Sequence, residues 1–255
     1  MKESETNHEA LLRTSIFRFY EELNEFLPVR QRKKSFEYTF TGTPSVKNCI
    51  EAIGVPHTEV DLILVDGVSV DFEILLKGGE RVSVYPVFEL LDISPLVRLR
   101  PKPLRETRFI VDVNLGKLTR KLRLLGFDTL FRNDLEDDEI VEIAVNENRV
   151  ILTRDKGVLK HTAAIRGYWV RNSDPQKQVR EVVERLQLQN SFRPFTLCSS
   201  CNGRLAAVDK VEVKGNVPND TLKMCDEFWK CKGCGQIYWE GSHFSKIRNW
   251  IEDLK

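Results

Sequence analysis

The clearest alternation of apolar and polar positions lies in the middle of the chain. Residues 109–113 (FIVDV) form a short apolar run, after which Leu115, Leu118, Leu122 and Leu125 recur at helical spacing until Gly126 closes the pattern. The same pattern then repeats, predicting strands at 128–131, 150–153 and 168–170 and helices at 138–147, near 157–164, and at 176–187. Strand and helix in strict succession predict a parallel sheet with right-handed crossovers and flanking helices. Such a sheet gathers ligands beyond the carboxyl ends of its strands.

The first segment has a different rhythm. Strands are predicted at 15–20 and 36–40, a short helix at 45–53 after Pro44, and strands at 61–65 and 81–86, with Asp66-Gly67 and Gly78-Gly79 marking tight turns. Two strands, a helix and further strands is the order of a β-grasp. The run LILVDGVSVDFEILLKGGERVSVYPVF resembles the second half of ubiquitin-like sulfur carriers, which act through a terminal Gly-Gly. Here Pro86 is followed by VFELLDISP, so this segment is expected to be an interaction or packing module. Apolar periodicity stops in the Pro- and Arg-rich stretch 92–108 and breaks again at 190–196. The expected layout is therefore a β-grasp domain at 1–95, a linker at 96–108, an α/β domain at 109–190 and a cysteine-bearing module with a C-terminal helix at 195–255.

Composition adds limits. Of 255 residues, 41% are apolar and 30% charged, a globular profile, and no apolar run approaches the roughly 18 residues of a membrane span. Net charge is +1 overall; residues 1–104 carry 13 basic and 16 acidic side chains, 105–191 carry 16 and 14, and 192–255 carry 10 and 8. The later segments thus permit a nucleic-acid partner. The polar opening MKESETNHEA lacks the apolar core of a secretory signal, so a cytoplasmic location and reduced cysteines are expected.

Reduced cysteines in pairs point to metal. Cys198-x-x-Cys201 and Cys231-x-x-Cys234, 29 residues apart, have the spacing of two knuckles that clamp one tetrahedral zinc ion. Gly203 and Gly235 follow closely and could turn N–H groups towards sulfur, whereas Cys49 and Cys225 read as small apolar side chains. A closed four-thiolate shell is structural, with its free energy coupled to folding. Beyond it, Tyr238, Trp239, His243, Phe244, Lys246 and Arg248 interleave aromatic and polar groups that suit either base stacking or packing onto a neighbour.

The chemistry is carried by acids. Asp112 ends the first strand of the middle segment, Asp134, Asp137 and Asp138 follow the second, and Asp155 follows VILTR. Massed carboxylates repel unless a cation intervenes. Mg²⁺ or Mn²⁺ takes oxygen ligands and can activate water against a phosphodiester, with no need for a nucleophilic side chain; this segment offers only His161 as one. Each acid also has a plainer use, Asp112 and Asp137 or Asp138 as helix caps and Asp155 in the D-K-G turn. Arg132, Arg154 and Lys156 flank the rim, and Lys117, Arg120, Lys121 and Arg123 lie off the apolar stripe of the first helix, where they could meet phosphates.

The pieces D-V-N-L-G, L-R-L-L-G-F-D-T, R-N-D, D-D-E and L-T-R-D, within residues 105–190, together resemble the PIN-like ribonuclease domain named for the C-terminal part of the mutator-seven protein. Members of that family are similarly followed by a four-cysteine module and in some cases preceded by a ubiquitin-like domain. The resemblance implies an α/β fold with a PIN-like parallel sheet, preceded by a β-grasp and followed by a four-cysteine zinc ribbon. It implies metal-dependent hydrolysis of RNA, with Asp112, Asp137 or Asp138, and Asp155 holding Mg²⁺ or Mn²⁺. Many PIN relatives place a second acid two residues after the last of these, where this chain has Gly157. The alternative is a non-catalytic RNA-binding or adaptor protein whose ubiquitin-like domain docks a partner.

Overall fold

A computed structural model describes residues 12–86, 99, 106–241 and 244–255. Most of the expected linker, the VFELLDISP segment and His243 lie outside the described residues. The chain falls into two compact units, Met1–Pro103 and Leu104–Lys255.

In the first unit, β1 (Leu12–Phe19), β2 (Phe36–Thr41), α1 (Val46–Ile53), β3 (Val60–Val65), β4 (Val68–Val70) and β5 (Arg81–Pro86) form a sheet of order β2-β1-β5-β3-β4. The β1–β5 pair is parallel and the other pairs antiparallel, which is the β-grasp arrangement expected from the element order. Ser45 caps α1 by accepting the Asn48 N–H, and Gly54 ends it at φ 122°. The short β4 was hidden in the sequence because only three residues follow the Asp66-Gly67 turn before the chain leaves the ladder.

In the second unit, β6 (Phe109–Val111), α2 (Gly116–Leu124), β7 (Thr129–Leu130), α3 (Asp137–Asn146), β8 (Val150–Thr153), α4 (Lys156–Lys160), β9 (Gly167–Trp169) and α5 (Pro175–Arg185) alternate as expected. Their four strands form an all-parallel sheet in the order β7-β6-β8-β9. The strands are shorter than the apolar runs suggested, because the chain turns into a 3-10 segment at Val113–Leu115 directly after Asp112. Strand residues alternate between two cores. Phe109, Val111, Val150 and Leu152 pack with Leu118 and Leu122 of α2 and Val179 and Val182 of α5, while Ile110 and Ile151 pack with Ile140 and Val141 of α3 and Leu159 of α4. Such double coverage explains the continuous apolar runs.

The cysteine segment adds a three-stranded antiparallel sheet of β10 (Leu205–Val208), β11 (Phe228–Cys231) and β12 (Ile237–Trp239), with α6 (Asn219–Met224) in the β10–β11 connection and α7 (Phe244–Glu252) at the end. Where the sequence suggested a separate module, the structure joins it to the α/β body. Ile251 and Leu254 are buried in the same core as α2 and α5, and Lys121 of α2 stands 4.6 Å over the Trp250 ring. Gly126 makes the close approach possible. It has φ 92°, and a Cβ there would collide with the Arg193 carbonyl oxygen.

Arg123 departs furthest from expectation. Placed off the apolar stripe and assigned to RNA, it is only 5% exposed. Its Nε donates to Thr129 O at 3.0 Å and its Nη1 to Ser200 O at 2.6 Å, so it staples α2 to both β7 and the first cysteine knuckle. Removing it leaves the buried Thr129 carbonyl without this donor and unties the knuckle. Arg123→Leu is expected to destabilise the protein by about 3 kcal/mol, measured by denaturant unfolding; a loss under about 0.5 kcal/mol, the range of ordinary surface substitutions, would contradict this staple.

Candidate active site and metal centre

The carboxyl ends of β6 and β8 are neighbours in the sheet, so Asp112 and the residues after Thr153 emerge side by side. Asp112 is 7% exposed and its N–H donates to Leu152 O across the ladder. Its side chain makes no capping bond, contrary to the plainer reading; instead Oδ2 accepts the Thr153 hydroxyl at 2.9 Å. The same Thr153 oxygen accepts the Asp155 N–H at 2.8 Å. Thr153 is fully buried and ties the two aspartates together, a role that no signal in the sequence marked.

Asp155 does cap α4, its Oδ1 accepting the Gly157 N–H at 2.7 Å. A Cβ on Gly157 would come within 3.1 Å of that oxygen, so a larger residue at 157 would press on the carboxylate.

The sequence left Asp137 and Asp138 open, and the structure separates them. Glu136, not either aspartate, is the N-cap of α3, in a capping box with Glu139. Asp137, exposed in the first turn of α3, lies within reach of the charges of Asp155 and Asp112. Burial first, then the charges of Asp155 and Asp112, followed by Glu136 and Asp138, hold its pKa above the usual carboxylate range. Asp138 turns away, with Oδ1 3.5 Å from His161 Nε2. Asp112 and Asp155 thus follow neighbouring strands, and Asp137 lies close enough to feel both charges. A raised pKa means that Asp137's contribution to stability is present below about pH 4 and is lost as pH rises through the folded value. At neutral pH and without a cation it costs stability. Asp137→Asn is expected to raise the melting temperature of metal-free protein by about 1–2 °C and to shrink the further rise on adding Mg²⁺; a lower melting temperature would contradict the repulsion.

The flanking cations differ in availability. Arg132 grips Asp134 with two hydrogen bonds, 3.1 Å from Nε and 2.7 Å from Nη2, so these two charges satisfy each other beside the rim. Arg154 donates from Nη1 to Asn172 O at 2.6 Å and is otherwise exposed. Lys156 stands 4.1 Å over the ring of Trp169, whose Nε1 donates to Arg154 O at 3.2 Å. Trp169 ends β9 opposite Thr153 and so holds the Lys156 ammonium and the Arg154 backbone near Asp155. Arg120 is exposed on α2.

The four cysteines form the second constellation. Cys198, Cys201, Cys231 and Cys234 have all their sulfurs within 4.8 Å of one another. The Cys198–Cys234 and Cys201–Cys231 separations are 3.6 and 3.4 Å, close to the roughly 3.8 Å that tetrahedral geometry requires at a Zn–S distance of about 2.3 Å. The donor set suits a divalent ion chemically as well. Burial would raise the Cys198 thiol, but hydrogen bonds with Tyr238 and from the Cys201 and Ser200 N–H groups bring it down to about 6. The Gln236 N–H favours the Cys234 thiolate, yet its three cysteine neighbours push it up to about 12. Four thiols this close cannot all ionise without a cation between them. Gly203 leaves the space, since a Cβ there would meet Cys231 Sγ at 2.7 Å; Cys231 Sγ itself accepts the N–H groups of Gly233 and Cys234. Cys225 and Cys49 stand outside the cluster, Cys49 buried as expected and Cys225 half-buried.

Among the described residues the cysteines are the one set of three or more ligating side chains this closely gathered; the aspartates do not form such a set. No helix of the described residues is long and apolar enough to cross a membrane.

No curated protein matches the chain. Two family matches do: residues 13–92 match the Mut7-C ubiquitin family, in agreement with the β-grasp, and residues 107–251 match the Mut7-C RNAse domain. The second match runs through the parallel sheet, the aspartates and all four cysteines in one stretch, as the shared core does, and the chain belongs to the Mut7-C RNAse domain family.

Proposed function

We propose that this protein is a metal-dependent ribonuclease that hydrolyses RNA phosphodiester bonds at the aspartate rim. The observation that carries the reading is the placement of Asp112 and Asp155 side by side beyond neighbouring parallel strands, with Asp137 near enough to feel both charges. These three would hold Mg²⁺ or Mn²⁺, which supplies Lewis-acid activation of water and of the phosphoryl oxygens. The chain's own work is positional. Thr153 fixes the Asp112 carboxylate through Oδ2, the Gly157 N–H fixes Asp155 through Oδ1, and Asp137 completes the ring from the start of α3. Arg154 and Lys156 are placed to steady the phosphates flanking the cut, and Arg120 to meet the strand further along. Zinc at the four cysteines holds the ribbon in shape, and the β-grasp serves as a protein-docking module.

Purified protein incubated with labelled RNA and Mn²⁺ or Mg²⁺, beside a chelated control, tests the reading. Metal-dependent cleavage is expected. Binding without cleavage at any metal concentration would favour the adaptor reading.

A further inference from the structure

The aspartate rim occupies the carboxyl end of the parallel sheet. At the amino ends of β6 and β7, between the α/β body and the cysteine segment, lies a cavity of about 710 Å³ that no step of the proposed reaction uses. Its size is that of ordinary ligand clefts, about 300–1,000 Å³. Phe127 and Phe192, edge to face at 5.9 Å, contribute an apolar wall, and Arg108, Arg193 and Arg204 line its edges.

The backbone beneath two of these arginines is fixed. The Arg193 N–H donates to Leu125 O at 2.9 Å while its carbonyl rests against Gly126, and Arg204 is bridged to Leu197 and accepts the Lys232 N–H at 3.0 Å. The cleft is therefore preformed. Its charge is unbalanced in a specific way. Asp128 is already committed, with both oxygens bonded to Arg149 and Oδ1 also to Asn202, and it reaches Arg108 Nε only at 4.0 Å. Glu106 reaches Arg108 with one oxygen at 3.8 Å and Arg193 with the other at 3.9 Å. Those separations are too long for hydrogen bonds, and the pairs are solvated and weak. Exposed Arg204 pairs with no acid among the described residues. Two guanidiniums loosely bridged by one carboxylate, with a third on the facing lip, form a place where phosphate oxygens make better partners than Glu106 does.

We infer that this cleft is a second RNA site, which binds backbone phosphates of the substrate at a distance from the cut. Assigning the phosphates to RNA rests on the ribonuclease reading; the anion-binding chemistry does not. Arg108 and Asp112 are four residues apart along β6, about 13 Å at strand rise. A dinucleotide held at the rim cannot also fill the cleft, whereas a long strand can engage both sites and gain avidity from the link.

The test uses the full chain carrying Asp112→Asn, so that bound RNA stays intact, with and without Arg193→Gln and Arg204→Gln. Both side chains are exposed, and unchanged melting temperature and zinc content would confirm intact folding. Affinity for a long fluorescent single-stranded RNA is measured by anisotropy across a salt series, with a dinucleotide and inorganic pyrophosphate as competing probes. The double variant is expected to bind long RNA about tenfold more weakly, and its slope of log K against log salt is expected to flatten by about 0.7 for each arginine removed. Dinucleotide binding is expected to be unchanged. Unaltered affinity for long RNA in a folded double variant overturns the inference, as does equal loss for long RNA and dinucleotide. Pyrophosphate binding that depends on the two arginines while long-RNA binding does not overturns the RNA assignment. Arginine-dependent RNA binding by a wild-type chain that never cleaves supports the cleft and sinks the ribonuclease reading, so the two failures are distinguishable.

Discussion

Replacing Asp112 or Asp155 by Asn is expected to eliminate metal-dependent RNA cleavage while leaving the protein folded. The fold should survive because Asn is nearly isosteric with Asp and its amide oxygen can still accept the hydrogen bond each aspartate now receives, from Thr153 at 2.9 Å and from Gly157 at 2.7 Å. What disappears is the negative charge that, under the proposed function, would hold the divalent ion. A metal's stabilisation of the transition state is worth several kcal/mol, and at about 1.4 kcal/mol per factor of ten the turnover rate should fall by more than about a hundredfold. KM for long RNA should change little, since the cations proposed to meet phosphates are left in place. Thr153→Val makes a graded companion. It keeps both carboxylates but removes the hydroxyl that orients one and receives the N–H of the other, and loss of such an outer contact typically costs about 10–100-fold. Turnover numbers and melting temperatures of the three variants decide the matter. An Asp112→Asn protein that cleaves at the wild-type rate, or whose loss of rate follows only from unfolding, removes Asp112 from the site.

Much of this site was legible in the chain because it depends on topology. Once apolar runs and helical stripes alternate, a parallel sheet follows, and residues just after its strands must share one end. That logic placed Asp112 and Asp155 side by side without any long-range information. It could not separate Asp137 from Asp138, because their directions depend on where α3 starts, and Glu136 sets that start through its capping box. Thr153 and Trp169 were invisible for a related reason. Each looks like an ordinary strand residue, and its role comes from a partner, Asp112 or Lys156, supplied by tertiary structure. Arg123 is the instructive failure. Helical periodicity assigned it to the solvated face, yet the carbonyls it serves at Ser199 and Ser200 belong to a segment 76 and 77 residues away. The apolar face of α7, with Ile247, Trp250 and Ile251, continued by Leu254 just beyond its end, was the available sign that the cysteine segment packs against the α/β body.

That shared core gives the second large effect its reach. Removing the ion from Cys198, Cys201, Cys231 and Cys234 with a strong chelator is expected to unfold the ribbon and to loosen the neighbouring end of the parallel sheet, while the β-grasp unit stays folded. Zinc bound by such thiolate sets contributes about 10–16 kcal/mol in small peptides near neutral pH, as much as the whole stability of a typical domain, about 5–15 kcal/mol. Without it, the small sheet of β10, β11 and β12 retains Val213, Val217 and Phe228 as its buried apolar cluster, too little to hold the knuckles by itself. The disturbance then travels through two named contacts. Arg123 lies beside the cysteine charges and donates to the knuckle carbonyls, and Asn202 accepts the Thr129 N–H at 3.0 Å. Both anchor β7 and the end of α2 from the zinc side. Because the thiolates must be deprotonated to bind the ion, acidification should release zinc and reproduce the effect. Hydrogen exchange reads it directly. Amides of β10, β11 and Thr129 should lose protection on chelation or in Cys198→Ser, with β1 and β5 unchanged. If Thr129 keeps its protection while the ribbon loses its own, the ion supports only the ribbon and the α/β body stands without it. If it exchanges with the ribbon, the ion is a structural part of the α/β fold itself.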